Sequence, residues 1–197
     1  MIERISALIG IMRPGQFGNT APDAMPVLVA EMYGRRLIQA TAWAQTAPAM
    51  GKALKKATGC TLPRLVGETA ATDGLTVMRI GPRRFWLACE RRFELDLTGF
   101  TPSIAAVVEL TDSRTILRIE GRHTRDVLAR GLPIDTDRSA FPSGTFVQSV
   151  IAHVPVLVHQ PPSINDEAFE IYVPSGYARS FLDWLKGAAI EFGCEIA

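Results

Sequence analysis

Nowhere in the 197 residues do 18 apolar residues run without interruption, so no segment reads as a membrane-spanning helix. Charge of one sign is missing as well. The 21 basic and 20 acidic residues leave a net charge of +1, a field too weak to recommend nucleic acid or an anionic membrane as partner. Cysteine is scarce and scattered: Cys60, Cys89 and Cys194 form no Cys-x-x-Cys pair and have no neighbouring histidine, which argues against a disulfide framework and for a reduced, cytoplasmic compartment. The first twelve residues are apolar in flavour but contain Glu3 and Arg4 and lead to no small-residue cleavage site, so no signal peptide is expected. Catalytic signatures are absent too. The chain has no Gly-x-Gly-x-x-Gly after a strand, no phosphate-binding Gly-rich loop ending in Gly-Lys-Ser/Thr, no His-Glu-x-x-His and no Gly-x-Ser-x-Gly.

What is present is an ordinary globular balance, 47% hydrophobic and 21% charged. Residues 1–30 are dense in turn formers, Pro14, Gly15, Gly18, Asn19, Thr20, Pro22, Asp23 and Pro26, and read as a poorly structured arm. Two α+β halves follow, 31–105 and 106–197. In the first, a strand from Arg36 to Trp43 leads through Thr46, a candidate N-cap, and Pro48 into a helix. Its apolar positions Met50, Ala53, Leu54 and Ala57 share one face, and Gly59 closes it. Leu75–Ile80 and Arg84–Cys89 form a hairpin through Gly81-Pro82, and 90–104 carries no readable pattern.

In the second half, Val107–Leu110 and Arg114–Glu120 are expected strands, the latter alternating Thr115, Leu117 and Ile119 with Arg114, Arg118 and Glu120. A short helix from about Arg122 to Arg130 ends at Gly131, read as its left-handed cap. Three further strands follow, Phe146–Ala152, Val154–Val158 and Ala168–Val173, with Pro155 placing the middle one at an edge or bulge. The clearest helix spans Gly176–Phe192, capped by Ser175, with Ala178, Phe181, Leu182, Leu185, Ala188, Ala189 and Phe192 as its core stripe. No long alternation of apolar strand and helix appears, so the fold class is α+β with mainly antiparallel sheets.

Candidate functional residues are few. His153 and His159 stand near the ends of one apolar hairpin segment, but a metal site needs three or four ligands, and the pair reads as turn and strand-end residues. Cys194 sits past Phe192 at a fraying helix end, an unpromising place for a catalytic thiolate. Lys52, Lys55 and Lys56 lie toward the helix C-terminus, where the macrodipole favours cations, and offer a landing patch for a polyanion such as a folate tail. Tyr177 and Trp184, seven residues apart and about 100° from the centre of the last helix's stripe, are candidates for a partner interface unless a loop covers them. No catalytic, cofactor-binding or metal-binding residue is identified.

Four stretches in order, Leu110-Thr-Asp-Ser-Arg-Thr-Ile-Leu-Arg-Ile-Glu-Gly121, Ala129-Arg-Gly-Leu-Pro-Ile-Asp135, Ala140-Phe-Pro-Ser-Gly144 and Phe169-Glu-Ile-Tyr-Val-Pro174, resemble the gamma-subunit family of heterotetrameric sarcosine oxidase. A weaker likeness continues upstream through Thr61-Leu-Pro63 and Arg79–Leu87. Similar phrasing occurs in the glycine-cleavage T protein, so the resemblance implies the folate-domain fold of aminomethyltransferases. It also implies a complex that oxidises sarcosine to glycine and hydrogen peroxide and passes the one-carbon unit to tetrahydrofolate. In that family the alpha, beta and delta subunits hold FAD, FMN, NAD, tetrahydrofolate and zinc, and the gamma subunit carries no catalytic residue. Two other readings stay open: a free-standing folate-binding protein for one-carbon transfer or iron–sulfur assembly, and a scaffold for another N-methyl amine oxidase. The Lys-Gly-Cys-Tyr-x-Gly-Gln type of segment of the iron–sulfur relatives surrounds none of the three cysteines.

Overall fold

Period-2 alternation and one amphipathic helix per segment govern what the chain builds in the computed structural model, which describes residues 5–21, 24–162 and 167–197. In chain order, strand β1 spans Gly15–Phe17, β2 Val27–Glu31 and β3 Arg36–Ala42, and helix α1 covers Ala47–Thr58. Strands β4 (Thr69–Thr72), β5 (Leu75–Gly81), β6 (Arg84–Cys89), β7 (Ala105–Glu109) and β8 (Arg114–Glu120) come next. The remainder is α2 (Thr124–Ala129), β9 (Thr145–Ile151), β10 (Val154–Gln160), β11 (Ala168–Pro174), α3 (Ala178–Ala189) and β12 (Cys194–Ile196). The chain divides into two compact units, Gly34–Thr111 and the segment up to Tyr33 together with Asp112–Ala197.

The unit Gly34–Thr111 is a five-stranded antiparallel sheet in the order β4-β5-β6-β3-β7. Ile38, Ala40, Val77 and Leu87 pack against Met50 and Leu54 of α1. Twelve residues are marginal as an isolated helix, so α1 persists through these contacts. Gly59 takes φ 68° and its N–H bonds the carbonyl of Lys55, the expected left-handed stop. Thr46 does not cap the helix with its side chain; its hydroxyl donates instead to the carbonyl of Ile104. That bond helps pin 90–104, which forms no helix or strand yet tucks Phe93, Leu95, Leu97 and Phe100 against the core. Strand β7, expected with the second half, belongs here because Ile38 to Ala42 of β3 pair with Glu109 to Ala105.

The other unit is a seven-stranded sheet, β1-β12-β2-β8-β11-β10-β9, in which β12 and β2 run parallel and the other described pairs antiparallel. Its core gathers Val29, Leu117, Ile119, Phe169, Ile171 and Val173 under Phe181, Leu182 and Leu185 of α3. Each such side chain contributes about 2 kcal/mol on burial, enough to hold a helix that would fray alone. The expected arm is thereby corrected. Its turn formers hide a short alternating run in which Val27 and Val29 are buried, and β2 lies inside the sheet between β12 and β8. Of that arm, residues 1–4, Pro22 and Asp23 lie outside the described residues.

The chain end is also corrected: α3 stops at Ala189, Gly193 turns at φ 87°, and Cys194 and Ile196 are buried in β12. Ser175 donates to the carbonyl of Asp112 and leads a short 3-10 turn, not a capped helix start. Pro155 is tolerated because β10 meets β11 only from Leu157 onward, so over its first residues β10 is an edge despite its interior place in the sheet. The Ala152-His153 turn before it has both φ values positive, the hairpin geometry usually given to Asn-Gly.

Gly131 is not the left-handed cap expected of it. The residue closing α2 is Arg130 in right-handed conformation, and Gly131 has no positive φ. What it supplies is space: a Cβ there would stand 2.5 Å from Cζ2 of Trp184 and 3.1 Å from Cγ2 of Ile151. Gly131→Ala is therefore expected to lower stability by about 2 kcal/mol through overpacking. In urea unfolding the loss should shrink in a Trp184→Ala background, as coupling between touching side chains requires.

Candidate functional site

Because neighbours on a strand alternate faces, Phe169, Ile171 and Val173 of β11 enter the apolar core while Glu170 and Tyr172 share the opposite face. Register then selects their company. Glu170 pairs across with His159 of β10 and with Arg118 of β8, so an imidazole and a guanidinium flank one carboxylate. His159 Nδ1 lies 3.3 Å from Glu170 Oε2, the hydroxyl of Tyr172 donates to that oxygen at 3.1 Å, and Arg118 Nη1 is 4.0 Å from Oε1. Arg118 also pairs with Glu120 at 3.0 Å. His159, Glu170 and Tyr172 are all buried.

A buried carboxylate is tolerated only with such partners, and Nε2 of His159, itself buried, has no hydrogen-bond partner among the described residues. The cluster has the components of an acid–base site but not its access, since substrate would have to reach groups closed to solvent. Its evident chemistry is charge balance inside the fold. The sequence concealed it: Glu170 and Tyr172 sit in an unbroken apolar-looking run, and His159 reads as a strand end. The available signal was Glu170 and Tyr172 at i and i+2, on the face opposite Phe169 and Ile171.

The other candidates scatter. His153 is exposed in its hairpin turn while His159 is buried, so the two do not converge, and no group of three or more His, Cys, Asp or Glu suited to a metal occurs among the described residues. Cys60, Cys89 and Cys194 are free and buried. Burial pushes the Cys89 thiol up to about 11 and raises that of Cys194, the opposite of an activated thiolate. Lys52, Lys55 and Lys56 are exposed together on α1, with Lys55 and Lys56 in its last turn. Nearby, the hydroxyl and N–H of Thr98 hold the Asp96 carboxyl below its ordinary range, with a smaller pull from Lys56.

Tyr177 and Trp184 part company. Tyr177 is 51% exposed, whereas Trp184 is half-buried, packed on the core with its ring 5.5 Å from that of Phe181. The Gly131 backbone lies close against one edge of the indole.

The family model described as the GCVT N-terminal domain matches residues 40–197. The sarcosine oxidase subunit gamma of Corynebacterium sp. strain U-96 is 30% identical over 146 residues, covering 71% of this chain and 69% of that one. The corresponding subunit of Corynebacterium sp. strain P-1 is 26% identical over 147 residues, covering 73% and 71%. Among solved structures, a chain of the heterotetrameric sarcosine oxidase from Corynebacterium sp. U-96 in complex with pyrrole 2-carboxylate superposes with TM-score 0.78 at 24% identity over 96% of both chains. The glycine cleavage system aminomethyltransferase T from Bartonella henselae superposes with TM-score 0.65 at 16% identity, covering 88% of this chain and 48% of that one. Both structures establish the fold.

Two stability experiments separate these roles. Trp184→Ala should cost on the order of 3 kcal/mol by emptying packed volume, while Tyr177→Ala should leave the urea midpoint within error. Glu170→Ala leaves buried His159 and Tyr172 without their shared acceptor while Arg118 keeps Glu120, and should cost roughly 2 kcal/mol, with Glu170→Gln costing less because an acceptor for Tyr172 remains.

Proposed function

The chain belongs to the family of sarcosine oxidase gamma subunits and carries the GCVT N-terminal domain, and from that premise we propose that it works as a non-catalytic assembly subunit of a heterotetrameric sarcosine oxidase. The similarity to the Corynebacterium gamma subunits, extending over more than two thirds of each chain, carries this reading. Closure of the His159–Glu170–Tyr172 cluster to solvent supports the non-catalytic part, because the ionisable groups the fold does gather are spent on one another. The complex removes the methyl group of sarcosine oxidatively, yielding glycine and hydrogen peroxide, and hands the one-carbon unit to tetrahydrofolate. Its alpha, beta and delta subunits hold FAD, FMN, NAD, tetrahydrofolate and zinc, and the assembly resides in the cytoplasm. No described helix is long and apolar enough to cross a membrane.

The exposed ring of Tyr177 and the exposed face of Lys52, Lys55 and Lys56 are surfaces through which this chain meets partners or an anionic ligand. Likeness of fold to an aminomethyltransferase supports a second reading, folate binding by the free chain. Co-expression with alpha, beta and delta subunits, followed by size exclusion and a sarcosine-dependent peroxide assay, separates them. Stoichiometric co-elution, with assembly or activity lost when this chain is omitted, is the expected result. Elution alone with tight tetrahydrofolate binding would replace the assembly role by the folate reading, and peroxide from another N-methyl amine alone would redirect the substrate.

A further inference from the structure

Residues 6–12 wind back on themselves, with the N–H groups of Ile11 and Met12 bonding the carbonyl of Leu8. Leu8 is thereby driven into the core of its unit, with Ile11 and Met12 packed against it. The same turn leaves Ile5 70% and Ile9 69% exposed, and across from them the ring of Tyr33 is 53% exposed. These side chains line one open cleft of about 620 Å³, together with Leu8, Met12 and Glu31. Three large exposed apolar residues around a single cleft are unusual on a soluble surface and mark a place that another surface covers.

Glu31 identifies the chemistry of the occupant. It is the ionisable carboxylate side chain of this lining, both of its oxygens lie within hydrogen-bond reach of the Ser6 hydroxyl, at 2.8 and 2.6 Å, and it faces no cation among the described residues. A carboxylate framed by aliphatic side chains and a tyrosine ring suits a lysine or arginine, whose hydrocarbon stem packs on the apolar walls while its head meets the charge. We propose that this cleft is a docking site for a partner subunit of the oxidase, entered by a basic residue carried on an apolar segment of that subunit. The inference rests on the gamma-subunit reading and adds to it where contact is made and by what chemistry.

The test is co-expression of the tagged full chain with the other three subunits, comparing wild type with Glu31→Gln, an Ile5→Ser/Ile9→Ser double variant, Tyr177→Ala as the rival contact surface, and Leu65→Ser, at a side chain 66% exposed outside both surfaces, as the control. Since Ile5 and Ile9 contribute little buried area, thermal melts of the isolated variants should match wild type. Recovery of the partner subunits should fall about tenfold or more for the double variant and for Glu31→Gln. Wild-type recovery should also weaken with added salt more steeply than that of Glu31→Gln. Undiminished recovery by both cleft variants, or loss confined to Tyr177→Ala, overturns the inference while leaving the gamma-subunit reading intact. A dimer of the isolated chain that the cleft substitutions abolish assigns the cleft to a second copy and likewise overturns it. Failure of the wild-type chain to join the complex at all overturns the gamma-subunit reading and removes this occupant with it.

Discussion

The antiparallel pairing of β8 with β11, seven residues from Arg114 opposite Pro174 to Glu120 opposite Ala168, is the constraint on which its unit depends. Side chains alternate faces along both strands, so this one register decides that Leu117, Ile119, Phe169, Ile171 and Val173 share the core beneath α3. The same register decides that Arg118 and Glu170 meet on the other face, beside His159. A slip of one residue would drive a carboxylate and a guanidinium into hydrocarbon, at several kcal/mol for each unpaired charge. Strand β2 docks on the free side of β8 and carries β12 and β1 with it, so the outer strands inherit their order from the central pair.

That arrangement separates what folds the chain from what is left for partners. Buried His159 and Tyr172 share the Glu170 carboxylate, and the cysteines are buried with two of their thiols raised by desolvation. Outside, the described surface includes the Ile5, Ile9 and Tyr33 cleft, the ring of Tyr177, and the lysine face of α1. Those surface features are where the proposed assembly role has groups to use.

Legibility of the candidate residues followed the range of the interaction behind each. Lys52, Lys55 and Lys56 were found on one exposed helix face because a 3.6-residue period decides that locally. Trp184 packs on the core beside the stripe of α3, and the Gly131 backbone that approaches its indole comes from distant sequence. Gly131 itself was explained by the commonest helical use of glycine, when a side chain 53 positions away, Trp184, is what forbids a Cβ there. The His159–Glu170 contact escaped because cross-strand partners are invisible until the sheet order is known.

By itself the sequence determined the local elements and the class: α1 with its Gly59 stop, the core stripe of α3, the β5–β6 hairpin, an α+β fold, and a family resemblance held in strand and turn residues. These follow from periodicities of two and 3.6 residues and from the backbone freedom of glycine, which act within a few residues. Only the tertiary structure decided that β2 and β12 complete the larger sheet, that β7 joins the smaller one, that 90–104 is a strap over a core, and which polar side chains are buried together. Those outcomes depend on which edge a strand finds and what comes to lie over it. Such pairings join residues far apart in the chain, and the hydrogen-bonding capacity of a backbone is the same whatever its sequence.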